Sequence, residues 1–224
     1  MRFDIITIFP NIFDSYLNES ILKRGQKKKL IQIKIHNLRD FSKDKHKKVD
    51  DRPFGGGPGM VLKIEPLIRA ISSILKISKS KKTKIILFSP AGKQFNNKTA
   101  ADLAKKYDNL ILICGRYEGI DARLSKVLKA NSYKLEAIST GPYVLTGGEL
   151  PAMVLMDAVS RQIPGVLGKN ESLEERRYGA GLPVYTRPEV FEYKGKKYRV
   201  PKVLLSGNHK KIEEWRRKHS RIKI

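Results

Sequence analysis

The stretch that decides the fold is residues 110–121, Leu-Ile-Leu-Ile-Cys-Gly-Arg-Tyr-Glu-Gly-Ile-Asp. Its first five residues form a short apolar run that is typical of a buried strand. A glycine-containing loop follows directly. Open α/β sheets bind their ligands in the crevice beyond the carboxyl ends of parallel strands. The stretch therefore predicts both a buried strand and a ligand-binding loop.

Similar apolar runs recur along the chain and alternate with helical patterns. The further predicted strands are Asp4–Phe9, Ile31–His36 and Lys84–Ser89. Apolar spacing of three and four residues predicts helices that follow a capping Asn11, that cover Pro66–Ile77, that run from Asn97 through Leu103, and that cover Pro151–Gln162. This alternation predicts an α/β fold with a largely parallel sheet.

The last quarter of the chain has a different composition. Residues 164–188 are rich in glycine, proline and charge without a sustained period, which predicts an interdomain linker. Residues 189–224 are expected to form a short C-terminal domain, with a hairpin turning at Lys194–Lys197 and a basic helix beginning at Asn208. The first domain is then expected to cover residues 1–163.

Charge is the most unusual feature of the composition. The 224 residues include 46 Lys and Arg against 22 Asp and Glu, a formal net charge of +24, which favours a nucleic-acid partner. No export signal and no apolar stretch of about 20 residues is visible, so we expect a cytoplasmic protein without a membrane partner. The single cysteine, Cys114, is predicted to be a buried core thiol, and four scattered histidines predict no resident metal site.

Glycine concentrates in four loops near the ends of predicted strands. These loops are residues 50–60, 89–92, 115–121 and 139–151. None has the spacing of a dinucleotide-binding or P-loop motif. Because glycine allows positive φ and close backbone approach, four such loops indicate a site that wraps a flat, adenosine-like ligand.

Four blocks in this order are similar to one known family: Asp50–Met60, Gly115–Asp121, Tyr143–Pro151, and Leu204–His209 with Trp215. They resemble the bacterial tRNA (guanine-N1)-methyltransferase family of the SPOUT superfamily, from Met1 to about His219. The resemblance implies an α/β fold of SPOUT type, whose parallel sheet carries a deep trefoil knot, and a small, mainly helical C-terminal domain that binds tRNA. It also implies S-adenosylmethionine as methyl donor, N1 of guanosine 37 beside the anticodon as acceptor, and a homodimer with the active site shared between subunits.

The resemblance also assigns roles to individual residues. Donor binding falls on Leu87, Phe88, Ser89, Pro90, Gly115, Tyr117, Thr140, Gly141, Pro142, Tyr143, Val144, Leu145, Gly147 and Gly148. RNA contacts fall on Arg39, His46, Arg52, Lys202, His209 and Arg216. Glu118 and Arg161 take active-site positions, and any Mg²⁺ is expected to be loosely held through Glu118 or the RNA.

The chemistry requires a base, because guanine N1 holds a weakly acidic proton and is a poor nucleophile until that proton leaves. A guanidinium such as that of Arg161 can stabilise the negative charge that develops on guanine O6. The family uses a linker aspartate as base, and counting forward from residue 165 places Arg176 at that position, which cannot act as a base. The linker is shorter than usual, so Glu175 and Glu174 are the candidates that remain.

Two alternatives stay open at this stage. Arg176 motivates a catalytically weak tRNA-binding protein that kept the SPOUT fold and lost its base. A related SPOUT enzyme that methylates a ribose 2′-hydroxyl is disfavoured, since the block from Asp50 to Met60 is peculiar to the guanine-N1 family.

Overall fold

A parallel sheet of five strands, in the order β2-β1-β6-β5-β7, forms the centre of the molecule in the computed structural model. The structure describes residues 1–78, 80, 82–168, 173 and 181–220. Its strands are β1 (Arg2–Thr7), β2 (Gln32–Asn37), β3 (Asp50–Asp51), β4 (Val61–Leu62), β5 (Thr83–Gln94), β6 (Asn109–Ile113), β7 (Leu135–Ser139), β8 (Val190–Tyr193) and β9 (Lys196–Arg199). The prediction of an α/β fold with a parallel sheet is confirmed.

Helices cover both faces of this sheet. The covering helices are α1 (Asp14–Leu17), α2 (Ser20–Lys27), α3 (Ile64–Ser78), α4 (Asn97–Lys106), α5 (Arg123–Ala130) and α6 (Glu149–Arg161), with 3-10 turns at Pro10–Phe13 and Leu38–Phe41. Helices α7 (Lys202–Leu205) and α8 (His209–His219) belong to the last part of the chain. Within the described ranges, none of them is long and apolar enough to cross a membrane. The chain separates into two compact units, residues 1–168 and 169–224.

The core lies on both sides of the sheet because alternate residues of a strand point to opposite faces. In β6, Leu110 and Leu112 pack with α2, α4 and α6, whereas Ile111 and Ile113 pack with α3 and α5. Every residue of β6 is buried. A parallel strand covered on both faces reads as one continuous apolar run, which explains why this stretch predicted the fold.

A buried carboxylate interrupts the apolar core at β1. Asp4 accepts two hydrogen bonds of 2.7 Å from the guanidinium of Arg2 and lies 2.7 Å from Nε2 of His36 on β2. Burial acts to raise the pKa of Asp4, but the hydrogen bonds from His36 and Arg2 outweigh it and hold this pKa below its ordinary value. The carboxylate is therefore a charged part of the sheet.

Several local predictions were wrong in detail. Asn11 does not cap a helix, because residues 10–13 form a 3-10 turn preceded by Phe9. The predicted opening of α4 at Asn97 is confirmed, and its cap is Asn96, whose Oδ1 accepts the N–H of Thr99 at 2.9 Å. The sequence analysis did not predict the strands β3, β4 and β7 or the helix α5.

The second unit contains a hairpin followed by two helices. Strands β8 and β9 pair antiparallel, and the turn consists of Lys194 and Gly195, both with positive φ (49° and 70°). Two positive-φ residues match the right-handed twist of the strands, so the turn is shorter than the predicted Lys194–Lys197. Asn208 caps α8, as predicted, and its Oδ1 accepts the N–H of Lys211 at 3.1 Å.

Candidate active site

A cavity of about 340 Å³ opens at the carboxyl ends of three neighbouring strands, β5, β6 and β7. Its wall is built from residues 87–90 of β5, residues 115–120 after β6, and residues 138–148 around the end of β7. Its volume lies within the roughly 300–1,000 Å³ of small-molecule sites. This is where open α/β sheets bind ligands.

The structure brings almost all of the predicted donor-binding residues to this one cavity. Pro142 is the exception, and Glu118 joins the others in the wall. Arg161 is not part of the wall. It is the last residue of α6, at the end of the helix away from the cavity-lining Pro151. Glu174 and Glu175, together with Arg176, lie outside the described residues.

Close backbone packing explains why glycine occupies the rim of the cavity. The N–H of Gly148 donates to the carbonyl of Gly115 at 2.9 Å, and a Cβ added at Gly148 would lie 2.6 Å from Cα of Cys114. A Cβ added at Gly147 would collide with the side chain of Arg116. The loops after β6 and β7 therefore touch through their main chains, and only residues without a side chain allow that approach.

A buried polar network beneath these loops was missed from the sequence. Glu149 at the start of α6 is 1% exposed, and its Oε1 accepts a 2.7 Å hydrogen bond from Oγ1 of Thr7 on β1. Its Oε2 lies 2.9 Å from Nη2 of Arg116, whose guanidinium is 4.6 Å from the ring centre of Phe9. Thr7, Arg116 and Glu149 thus connect β1, the loop after β6 and the first turn of α6.

The glycine-rich loop at residues 50–60 contacts the cavity wall. The N–H of Glu118 donates to the carbonyl of Met60 at 3.1 Å, and the N–H of Leu62 donates to the carbonyl of Gly119 at 3.0 Å. Gly59 has φ of +84°, and a Cβ added there would lie 2.6 Å from Oε1 of Glu118. The carboxylate of Glu118 is therefore placed between the cavity and the glycine-rich loop.

The environment of Cys114, next to the cavity, makes its thiol unreactive. Cys114 is fully buried at the end of the β6 run, as the sequence predicted. Burial raises the pKa of its thiol well above the ordinary value, and the charge of Glu149 adds to this rise. Cys114 is a packing residue and not a nucleophile.

The described residues contain no cluster of side chains that could form a metal site of protein ligands alone. Across residues 1–78, 80, 82–168, 173 and 181–220, no three His, Cys, Asp or Glu side chains are grouped so as to hold a metal ion. Mg²⁺ prefers an octahedral set of oxygen ligands, and Glu118 by itself does not supply one.

The candidate RNA-binding residues fall into two groups, one in each unit. In the first unit, Arg39 lies half-buried in a 3-10 turn, whereas His46 and Arg52 are exposed. Arg52 also lines an open cleft of about 1130 Å³, with Lys43, Lys48, Lys63, Arg69 and Arg123. In the second unit, Lys202 begins α7, His209 begins α8, and Arg216 lies in the last turns of α8.

Known proteins match the chain over nearly its whole length. The family described as tRNA (Guanine-1)-methyltransferase TrmD matches residues 1–224. A tRNA (guanine-N(1)-)-methyltransferase of Dictyoglomus turgidum is 51% identical over 98% of this chain and 85% of its own length. The proteins of the same name from Clostridioides difficile and Thermomicrobium roseum are 49% and 51% identical, over 98% and 97% of this chain and 92% and 78% of their own lengths. The chain therefore belongs to the tRNA (guanine-1)-methyltransferase family.

Proposed function

We propose that this protein transfers a methyl group from S-adenosylmethionine to N1 of guanosine 37 in tRNA, the nucleotide 3′ of the anticodon. The observation that carries the proposal is the convergence of the family's donor-binding segments on one cavity at the carboxyl edge of the sheet. Membership of the family over the whole chain supports the same activity. The formal charge of +24 suits a tRNA substrate.

The cavity fits a donor with a flat base and a polar tail. Its wall alternates apolar side chains, such as Leu87 and Ile138, with main-chain groups of Gly115 and Thr140 to Gly141. Exposed backbone N–H and C=O groups can bind the edge of an adenine, and the apolar side chains can cover its faces. S-adenosylmethionine supplies an electrophilic methyl group when it is bound.

The chain's own residues must activate and hold the guanine. A carboxylate has to accept the N1 proton, and Glu175 or Glu174 remains the proposed base. Glu118, in the cavity wall beside the glycine-rich loop, is proposed to hold the guanine in place. Arg161 is proposed to donate to O6 as negative charge develops there.

The position of Arg161 supports a homodimer with a shared site. Pro151 lines the cavity, and Arg161 lies ten residues further along α6, about 15 Å away at 1.5 Å per residue. That distance exceeds the reach of one arginine side chain. Leu150 and Val154 on α6 are 55% and 51% exposed, which leaves an apolar face for a second copy. We infer that Arg161 of each chain serves the cavity of its partner.

The proposal includes the deep trefoil knot that the family implies. It rests on membership of the family. The main chain also approaches itself closely at two points in this part of the fold: a Cβ added at Gly92 on β5 would lie 2.6 Å from the carbonyl carbon of Ala137 on β7, and Gly148 approaches Cys114 equally closely.

The test is methylation of an unmodified tRNA transcript with S-adenosylmethionine, followed by mass spectrometry of its nucleosides. We expect 1-methylguanosine, and none from a transcript with adenosine at position 37. Donor binding without any product would contradict the methyltransferase proposal and favour the tRNA-binding protein. Methylation on a ribose would favour the 2′-hydroxyl enzyme.

Single substitutions test the proposed roles of the donor-binding loop and of Arg161. Gly115→Trp should abolish donor binding in calorimetry, since the indole would fill the cavity. Arg161→Ala should leave donor affinity intact and lower the single-turnover rate by roughly 10²- to 10³-fold. The exposed Arg24 on α2 provides a matched control, and Arg24→Ala should methylate at the rate of the unaltered protein.

The base is tested by Glu174→Gln, Glu175→Gln and the double variant in single-turnover methylation. If one glutamate accepts the N1 proton, its variant and the double variant lose activity together. Full activity in the double variant would place the base elsewhere in the chain.

A further inference from the structure

The hairpin of β8 and β9 divides its side chains cleanly between two faces. Phe191 pairs directly with Tyr198, and Tyr193 pairs directly with Lys196. Residues that lie opposite each other across an antiparallel pair share a face, and so do residues two apart on one strand. Phe191, Tyr193, Tyr198 and Lys196 therefore form one face, which we call the aromatic face.

The aromatic face is exposed. Phe191, Tyr193 and Tyr198 are 57%, 56% and 54% accessible. The rings of Phe191 and Tyr193 are nearly parallel, with an interplanar angle of 9° and 6.4 Å between their centres. Three large rings side by side on a solvent-facing ribbon form an apolar patch of the kind that marks an interaction site.

Two ammonium groups lie beside these rings, those of Lys194 at the turn and Lys196 on the same face. The hairpin carries Lys194, Lys196, Lys197 and Arg199 against the single carboxylate of Glu192. Nζ of Lys194 lies 5.5 Å from the centre of the Tyr193 ring. Aromatic rings flanked by ammonium groups match the two components of a single-stranded nucleic acid, whose bases stack on rings and whose phosphates attract cations.

Hairpin stability explains only part of this arrangement. The directly opposed pair Phe191 and Tyr198 stabilises a two-stranded ribbon, as cross-strand aromatic pairs do. Tyr193 has no such partner, since Lys196 lies opposite it. Its ring extends the patch toward the turn, where the exposed charge of Lys194 lies.

We propose that the aromatic face binds unpaired bases of RNA by stacking. This inference rests on the proposed function, since it assigns to the substrate tRNA a contact with unstacked loop bases in addition to phosphate contacts. Charge complementarity selects RNA over a second protein surface, because the ammonium groups of Lys194 and Lys196 beside the rings would lose their hydration under an apolar surface.

The experiment measures binding of the full chain to two labelled probes by fluorescence anisotropy: a short single-stranded oligoribonucleotide and a duplex of the same sequence. Duplex bases are stacked on each other and offer no free faces. Phe191→Leu and Tyr193→Leu keep apolar bulk and remove the ring. Each should weaken single-strand binding by roughly 5- to 100-fold and leave duplex binding within about twofold.

Two control variants distinguish the effect of removing the ring from the effects of a folding defect and of a lost charge. Phe191→Tyr retains a ring and should bind the single strand as the unaltered protein does, so a loss in Phe191→Leu alone is not a folding defect. Lys197 lies on the opposite face, 4.0 Å from Glu192. Lys197→Gln should weaken binding to both probes by the same small factor, because this substitution removes only a positive charge.

Three results would overturn the inference: leucine variants that bind the single strand as tightly as the unaltered protein, leucine variants that lose both probes equally, or a change of oligomeric state in Phe191→Leu, which would assign the face to a second copy. Methylation of tRNA is measured on the same preparations. If single-strand binding depends on the rings but the protein does not methylate tRNA, only the proposed function is contradicted. If the protein methylates tRNA but the leucine variants bind the single strand as the unaltered protein does, only this inference is contradicted.

Discussion

Replacement of Glu149 by glutamine tests whether the buried network under the cavity holds the site together. The glutamine keeps the shape of the glutamate and an oxygen for the 2.7 Å hydrogen bond from Thr7. Its uncharged amide then faces the guanidinium of Arg116, which was 2.9 Å from Oε2 and is only 17% exposed. The variant therefore leaves one buried cation without its counter-charge.

The expected loss follows from that burial. Removing one partner of a buried pair typically costs about 3–5 kcal/mol. For a chain of this size, each kcal/mol lowers the melting temperature by about 2–4 °C, so Glu149→Gln should melt roughly 6–20 °C lower. Donor affinity should fall as well, because Arg116 and Gly147 form a backbone bridge between two loops of the cavity wall.

Thermal unfolding by calorimetry, together with donor titration, measures both effects. Asp102 provides the matched control, because it forms an exposed pair with Lys106 one helical turn away at 3.2 Å. Asp102→Asn should change stability by less than about 0.5 kcal/mol. The double variant Arg116→Met, Glu149→Leu leaves no unpaired charge and should be less destabilised than Glu149→Gln. A Glu149→Gln protein as stable as the control variant would refute the reasoning.

Three further predictions concern the same unit. Gly148→Ala should lower both donor affinity and melting temperature, since its Cβ would lie 2.6 Å from the backbone of Cys114, whereas Gly168→Ala, with no atom of the described residues within 4 Å, should change neither. Cys114 should resist iodoacetamide at pH 8 until the protein unfolds, because burial raises its pKa; fast labelling of the folded protein would contradict this. Asp4 has a lowered pKa, so its stabilisation is complete above about pH 4 and is lost as the pH falls through the folded value. Asp4→Asn should therefore flatten the acid limb of melting temperature against pH, and an unchanged limb would argue against the buried pair.

The fold was predictable where the sequence signal is local. A continuous apolar run such as β6 is buried on both faces and needs no knowledge of its neighbours to be recognised. β7 is different, because its five residues include Glu136 and only the last two are buried. Its strand conformation depends on pairing with β5, whose residues Ile85 and Leu87 lie opposite Leu135 and Ala137. Because this pairing is determined by the tertiary structure, no local sequence pattern predicts it.

The wall of the cavity was predictable for a related reason. Its residues lie in short glycine-containing segments, and each segment carries its own sequence signature. Arg161 and Glu118 were assigned by motif position, and their roles stay predictions. The linker glutamates Glu174 and Glu175 were proposed by elimination, so their role depends on the kinetic test and not on a sequence pattern.

The Thr7, Arg116 and Glu149 network shows what such signatures leave out. Thr7 and Glu149 are 142 residues apart, and neither lines the cavity. From the sequence, a glutamate in the first turn of a helix reads as an exposed partner of the helix dipole. Here Gly148 lets the loop lie against the backbone of Cys114 and Gly115 directly after β6, and that packing buries the carboxylate beside Arg116. Residues that fix the positions of the cavity loops therefore differ from the residues proposed to touch the donor, and substitutions at Glu149 should alter donor affinity without removing any of the proposed donor contacts.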